Sequence, residues 1–147
     1  MRKLRILLAA GAIAAGLIPL AVAPVAASCA TENVVIYENN SLDPGGLGTA
    51  KQLCVSTPNL DQVPHTQPGF CKSQFIRFTD SWNDCVSSFR VTLPANRCFK
   101  TYVDANYVGV LAPVIAGPTN ALFRDFAPAA NDRMTSFKFY TKVNGLC

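Results

Sequence analysis

Apolar and polar positions along most of the chain follow a period of two, not the 3.6-residue period of an amphipathic helix. The alternation is clearest at 89–93, where Phe89, Val91 and Leu93 fall on one face and Arg90 and Thr92 on the other. It recurs where Phe137 and Phe139 flank Lys138. A half-buried strand produces this pattern because successive side chains point to opposite faces of the sheet. The same reading predicts strands at 33–38, 51–55, 74–79 and 87–93, and again at 98–103, 108–115, 121–126 and 135–141. Short β-rich runs divided by Gly, Pro, Asn and Asp are the pattern of an all-β sandwich or barrel.

The two sets of four strands close on related hexapeptides. "WNDCVSS" ends at Ser88 and "ANDRMTS" at Ser136, so the two Asn-Asp pairs lie 48 residues apart. The openings also match: "VVIYENNS" from Val34 and "CFKTYVDANYVG" from Cys98 each place a Tyr after alternating apolar residues and before a polar turn. This is the signature of an internal duplication, with motif one at about 33–93 and motif two at about 98–141. Tyr37 precedes Asn83 by 46 residues but Tyr102 precedes Asn131 by only 29, so motif one carries 17 extra residues. They fall in 56–72, a segment containing Pro58, Pro64, Pro68 and Gly69. A loop longer than a compact domain needs is expected to be functional or mobile.

Residues 1–27 read as a segment apart. Arg2, Lys3 and Arg5 precede an apolar run from Ile6 to about Val25, and Val25 and Ala27 occupy the small-residue places of a cleavage site. That is the pattern of a secretory signal peptide. A membrane anchor would need about the same apolar length, but Pro19, Pro24 and the small-residue finish favour cleavage. Lipidation at Cys29 lacks the usual preceding Leu and would leave an odd number of cysteines. The remaining 28–147 forms one domain, expected to be secreted and without stable membrane association. The signal takes three of the thirteen basic residues with it, leaving ten against nine acidic ones. A balance so near neutrality gives no electrostatic footprint for nucleic acid.

All six cysteines, Cys29, Cys54, Cys71, Cys85, Cys98 and Cys147, lie in 28–147. An even count in an exported chain reads as three disulfides, for which the sequence allows 15 connectivities. A Cys98–Cys147 bridge would pin the C-terminus, and Cys71–Cys85 would close a short loop. Zinc is disfavoured, because there is no C-x₂-C pair and His65 is the sole histidine.

An aromatic-led strand, a polar turn ending near Gly and a closing N/D-N/D-x-x-S/T-S hexapeptide together resemble the βγ-crystallin Greek-key motif. Two such motifs in one exported, cysteine-bearing domain resemble the secreted proteins of peptidase inhibitor family I36. The similarity spans about 33–140. It implies two Greek-key motifs packed as a β-sandwich and, for function, a secreted binding protein of the proteinase-inhibitor type with an extracellular proteinase as partner. The alternatives it carries are a calcium-binding structural or stress module and a killer-toxin-like antifungal protein. Two departures stand out: the glycines of the first turn arrive late, at Gly45 and Gly46, and Val108 stands where many relatives have the first Gly of a pair.

Calcium takes six to eight oxygen ligands. Asn83, Asp84 and Ser87, and likewise Asn131, Asp132 and Thr135, supply an amide, a carboxylate and a hydroxyl within one turn. The resemblance implies that the fifth-position hydroxyls, Ser87 and Thr135, ligate the ion. It also implies that a carbonyl near Asn40 or Ala105 of the opposing motif joins them. With so few carboxylates, affinity is expected at roughly 10⁻⁴–10⁻³ M. The same residue types also build Asx turns that need no ion.

For inhibition, Pro58, Pro64, His65 and Pro68 mark a Pro-rich, cysteine-bounded candidate loop. A segment held rigid loses little entropy on docking. His65, between Pro64 and Thr66, is expected to be solvated, and no nucleophile–base pattern accompanies it, so the chain reads as a binder and not an enzyme. Tyr37, Trp82, Tyr102 and Tyr107 are expected in the core or at corners, although aromatics of this kind also suit a sugar-binding surface.

Overall fold

The computed structural model describes residues 29–39, 48–65 and 81–147. Among the described residues eight strands are formed: β1 (Asn33–Tyr37), β2 (Ala50–Leu53), β3 (Ser88–Leu93), β4 (Arg97–Asp104), β5 (Val108–Val110), β6 (Ile115–Ala116), β7 (Thr119–Asp125) and β8 (Ser136–Thr141). Two single-turn 3₁₀ helices, Leu60–Gln62 and Ala105–Tyr107, interrupt them. The strand expected at 74–79 lies outside the described residues, as does the signal segment 1–27. The single strand expected at 108–115 is split into β5 and β6. Leu111 still donates to the Thr101 carbonyl at 3.0 Å, but Pro113 has no N–H to continue the ladder.

The strands make two antiparallel sheets. One runs β2-β1-β3-β7; in the other β4 is central, with β5 and β6 on one side and β8 on the other. The motifs are not separate units, because each lends its third segment to its partner's sheet. β7 belongs to motif two by sequence but pairs with β3 of motif one. In exchange, Thr57 of motif one bridges Phe137 on β8, with N–H···O bonds of 3.0 and 3.1 Å in the two directions. Ser56 extends the contact: its Oγ accepts from the Phe139 N–H at 2.9 Å and donates to the Phe139 carbonyl at 3.2 Å. The outcome is the expected sandwich of two interlocked Greek keys.

Alternation fills the space between the sheets as the sequence predicts. Val34, Ile36, Phe89, Val91, Leu93, Phe99, Phe137 and Phe139 are all buried. Phe99 of one sheet meets Phe89 of the other at 5.3 Å between ring centroids, and Phe137 and Phe139 of its own sheet at 5.6 and 5.3 Å. Burying one such ring contributes about 1.5–3 kcal/mol.

Cys29–Cys54 ties the chain before β1 to the end of β2, and Cys98–Cys147 fixes the C-terminus to β4. The second is one of the two pairings singled out among the 15 that the sequence leaves open. Cys85 is also disulfide-bonded; Cys71, its expected partner, lies outside the described residues. Disulfides of this kind persist in oxidising compartments. Among the described residues no helix is long and apolar enough to cross a membrane.

Candidate functional site

The two hexapeptides lie against each other, joined by backbone contacts that repeat in mirror fashion. Asp84 donates its N–H to the Met134 carbonyl, and Asp132 donates to the Val86 carbonyl, both at 3.3 Å. Each Asp adopts a left-handed backbone with φ 54°, a region that Asn and Asp enter more readily than most side chains. The preceding Asn braces it. Asn83 Nδ2 donates to Asp84 Oδ2 at 2.9 Å, and Asn131 Nδ2 to Asp132 Oδ2 at 2.8 Å. The fourth position is an apolar plug in both copies, since Val86 and Met134 are fully buried.

The fifth and sixth positions anchor each loop to its own motif. Ser87 donates its N–H to the Tyr37 carbonyl at 2.9 Å, and Thr135 to that of Tyr102 at 3.0 Å. Their carbonyls receive the exchanged third segments, from Phe126 at 2.9 Å and Leu60 at 2.8 Å. The buried sixth-position serines hold the following turns: Ser88 Oγ donates to the Asn39 carbonyl and Ser136 Oγ to the Asp104 carbonyl, each at 2.6 Å. The sequence places these two serines in the closing hexapeptides, and their anchoring of backbone carbonyls is the turn-building use of Ser that needs no ion.

The fifth-position hydroxyls cross to the opposite motif. Ser87 Oγ lies 2.8 Å from Asp132 Oδ1, and Thr135 Oγ1 donates to Asp84 Oδ1 at 3.3 Å. Four of the expected ligands are therefore brought together in two cross-motif pairs, with Asn83 and Asn131 beside them. Asn40 lies outside the described residues. Ala105 opens the 3₁₀ turn after β4, one residue beyond the Asp104 carbonyl that Ser136 holds.

The Ser87 pair has one proton too few. Besides Asp132 Oδ1, the Ser87 oxygen makes a short contact with the Glu38 carbonyl. A serine hydroxyl has one hydrogen to give, so one of these oxygen–oxygen contacts is left without a proton. Beside Asp84 of the other cross-motif pair, Asn83 Oδ1 is buried and, among the described residues, has no hydrogen-bond partner. An acceptor surplus of this kind suits a hard, oxygen-seeking cation. No three His, Cys, Asp or Glu side chains gather among the described residues, so each pair offers a single carboxylate.

Of the two alternatives for the candidate inhibitory loop at 56–72, rigid or mobile, the part the structure describes bears on the first. Its described part, 56–65, is fastened down by the Thr57 bridge, by fully buried Leu60, and by the Trp82 N–H donating to the Val63 carbonyl at 3.0 Å. Pro58 and Pro64 are exposed on this anchored stretch, and Pro68 lies outside the described residues. The expectation of a solvated His65 is corrected: its side chain is 7% exposed. His65 Nε2 lies 2.7 Å from Glu38 Oε1 and 3.1 Å from Thr49 Oγ1, and its ring meets Trp82 at 4.6 Å. Burial here follows from a carboxylate partner 27 residues upstream, which local composition does not reveal. Tyr37, Trp82 and Tyr102 are buried as expected, while Tyr107 is half-buried with its ring 5.7 Å from Tyr102.

The chain thus has a βγ-crystallin-like architecture of two Greek keys. Solved structures similar to it include a βγ-crystallin domain from Flavobacterium johnsoniae (19% identity, 74% of this chain and 94% of that one, TM-score 0.42). A βγ-crystallin domain from Clostridium beijerinckii gives 22% identity over 74% of this chain and 98% of the other, with a TM-score of 0.42. A domain solved in work on the evolution of the eye-lens βγ-crystallin fold gives 16% identity over 77% and 90%, with a TM-score of 0.46. No family model and no curated protein matches the chain.

Proposed function

We propose that the chain is a secreted module that acts by binding, not by catalysis, and that its two hexapeptides form a pair of weak calcium sites spanning the motifs. The observation that carries this is the proton shortfall at Ser87, where the Glu38 carbonyl, the Ser87 hydroxyl and Asp132 Oδ1 converge. One site would use these three oxygens. The other would use Thr135 Oγ1 and Asp84 Oδ1, with carbonyls near Asn40 and Ala105 as further candidates from the family resemblance. Bound calcium would neutralise the Asp and remove acceptor–acceptor repulsion, locking the two motifs together. Calorimetric titration with calcium tests this directly. Saturable heat at roughly 10⁻⁴–10⁻³ M is expected, and its absence up to that range would reject the reading.

A second reading, proteinase inhibition of the I36 type, is favoured by the anchored stretch 56–65. There Pro58, Asp61, Gln62 and Pro64 are exposed on a backbone held by Asn59 Oδ1, which accepts from the Asp61 N–H at 2.9 Å, and by Ser81 Oγ, which donates to Asp61 Oδ1 at 2.8 Å. A panel of serine and metalloproteinases, run with and without calcium, separates the readings. Inhibition lost on Pro58→Ala or Pro64→Ala would support this second reading, and silence across the panel would remove it.

A further inference from the structure

Two costly features meet on one outer sheet surface, on side chains that make no part of the paired Asp–hydroxyl contacts. Lys100 on β4 is paired in register directly opposite Lys138 on β8. Like charges directly opposite across an antiparallel pair are destabilising. No ion pair among the described residues relieves them, since those found join His65 to Glu38 and Arg97 to Glu32. Each ammonium instead lies over a tyrosine ring, Lys100 at 5.6 Å from the Tyr102 centroid and Lys138 at 5.2 Å from that of Tyr107.

The second feature is the backbone that delivers Tyr107. Asn106 and Tyr107 are both left-handed, with φ 59° and 66°. An aromatic side chain in that region is a genuine outlier, and such outliers persist where the surroundings enforce them, often at functional sites. Here the Tyr107 N–H donates to Ser136 Oγ at 3.3 Å, and its ring packs on Tyr102. Val108, in the place of the missing glycine, has an ordinary φ of −102°. The left-handed burden passes to Gly109, with φ 64°, where any Cβ would collide with Val103. Val110 and Val108, opposite Tyr102 and Asp104, are 58% and 57% exposed.

We propose that this face binds an acidic polysaccharide, Lys100 and Lys138 sharing one sugar carboxylate while Tyr107 and the exposed valines pack against the ring. Rings with apolar faces and hydroxyl edges suit a surface of Tyr and Val, and widely spaced carboxylates suit an isolated lysine pair. A nucleic acid fits less well. It requires basic groups tracking a phosphate at every residue, whereas here the lysine pair is followed on the same face by exposed Asp104.

The test is an amide-resolved NMR titration of the full secreted domain with hexagalacturonate, beside a neutral malto-oligosaccharide and an oligothymidylate. Saturable shifts confined to Lys100, Tyr107, Val110 and Lys138 are expected. The Lys100→Gln/Lys138→Gln double variant should bind about tenfold more weakly or worse while its melting temperature is unchanged or raised. Tyr107→Phe should retain binding and Tyr107→Ala should lose it. The proposal is overturned by no saturable shift on this face, by undiminished affinity in the double variant, or by equal binding of the neutral sugar. Tighter binding of the oligothymidylate would likewise overturn it and assign the face to nucleic acid. Because the calcium reading rests on Asp84, Ser87, Asp132 and Thr135, none of which is among the residues proposed to touch the sugar, failure of the calcium reading leaves these outcomes unaffected.

Discussion

The Ser87–Asp132 and Thr135–Asp84 pairs are the same device built twice, yet their surroundings differ. Ser87 is 5% exposed and has two oxygens within reach, the Glu38 carbonyl and Asp132 Oδ1. Thr135 is half-buried and meets Asp84 Oδ1 at 3.3 Å. The supporting frame, by contrast, is nearly identical in both copies, from the paired Asp N–H bonds at 3.3 Å to the 2.6 Å serine anchors. The scaffold is symmetric between the two copies while the oxygen chemistry is unequal. The tight pair is the stronger candidate for an ion, and the open pair is closer to a turn device.

Substitutions can break this comparison, beginning with the largest effect. Met134→Ala in the open copy removes a fully buried plug and should cost about 2–5 kcal/mol, measured by chemical denaturation. A small loss there would mean the shared scaffold is not what holds the open copy in place. Ser87→Ala leaves a buried carbonyl without its donor and should cost about 1–3 kcal/mol without calcium. Ser88→Ala deletes one anchor and should cost about 1 kcal/mol; Ser136→Ala also removes the acceptor of the Tyr107 N–H and should cost somewhat more, so a smaller loss at Ser136 would contradict the matched anchoring. Thr135→Ala, at a half-buried site with one long bond, should cost least, under about 1 kcal/mol.

Much of this architecture was legible because alternation is a local property. Phe89, Val91, Phe137 and Phe139 point inward as their spacing predicts, and the hexapeptides could be matched by eye. The Cys98–Cys147 pairing was not legible, since six cysteines allow 15 connectivities and only the fold brings these two together. Nor were other long-range choices. Nothing local to Ser56–Thr57 or β7 says that each leaves its own motif to pair with the other, so the exchanged segment of motif one read as part of an inserted loop, functional or mobile. The crossing of Asp84 to Thr135 and of Asp132 to Ser87 is hidden for the same reason, since it depends on how two distant turns face each other. His65 sits between proline and polar neighbours, and only folding brings Glu38, Thr49 and Trp82 around it. Pro113, in contrast, announced a break in the strand that the apolar run around it obscured.

The central claim is that an ion completes the Ser87–Asp132 pair. Thermal unfolding in about 10 mM calcium against chelator tests it most directly, on the parent chain, Ser87→Ala and Thr135→Ala. A ligand held only by the folded state at roughly 0.1–1 mM affinity adds about 1.4–2.7 kcal/mol under those conditions. The parent melting temperature should therefore rise by several degrees, with most of that rise lost in Ser87→Ala and most of it kept in Thr135→Ala. A parent melting temperature indifferent to calcium, or a rise that survives Ser87→Ala intact, would contradict the account.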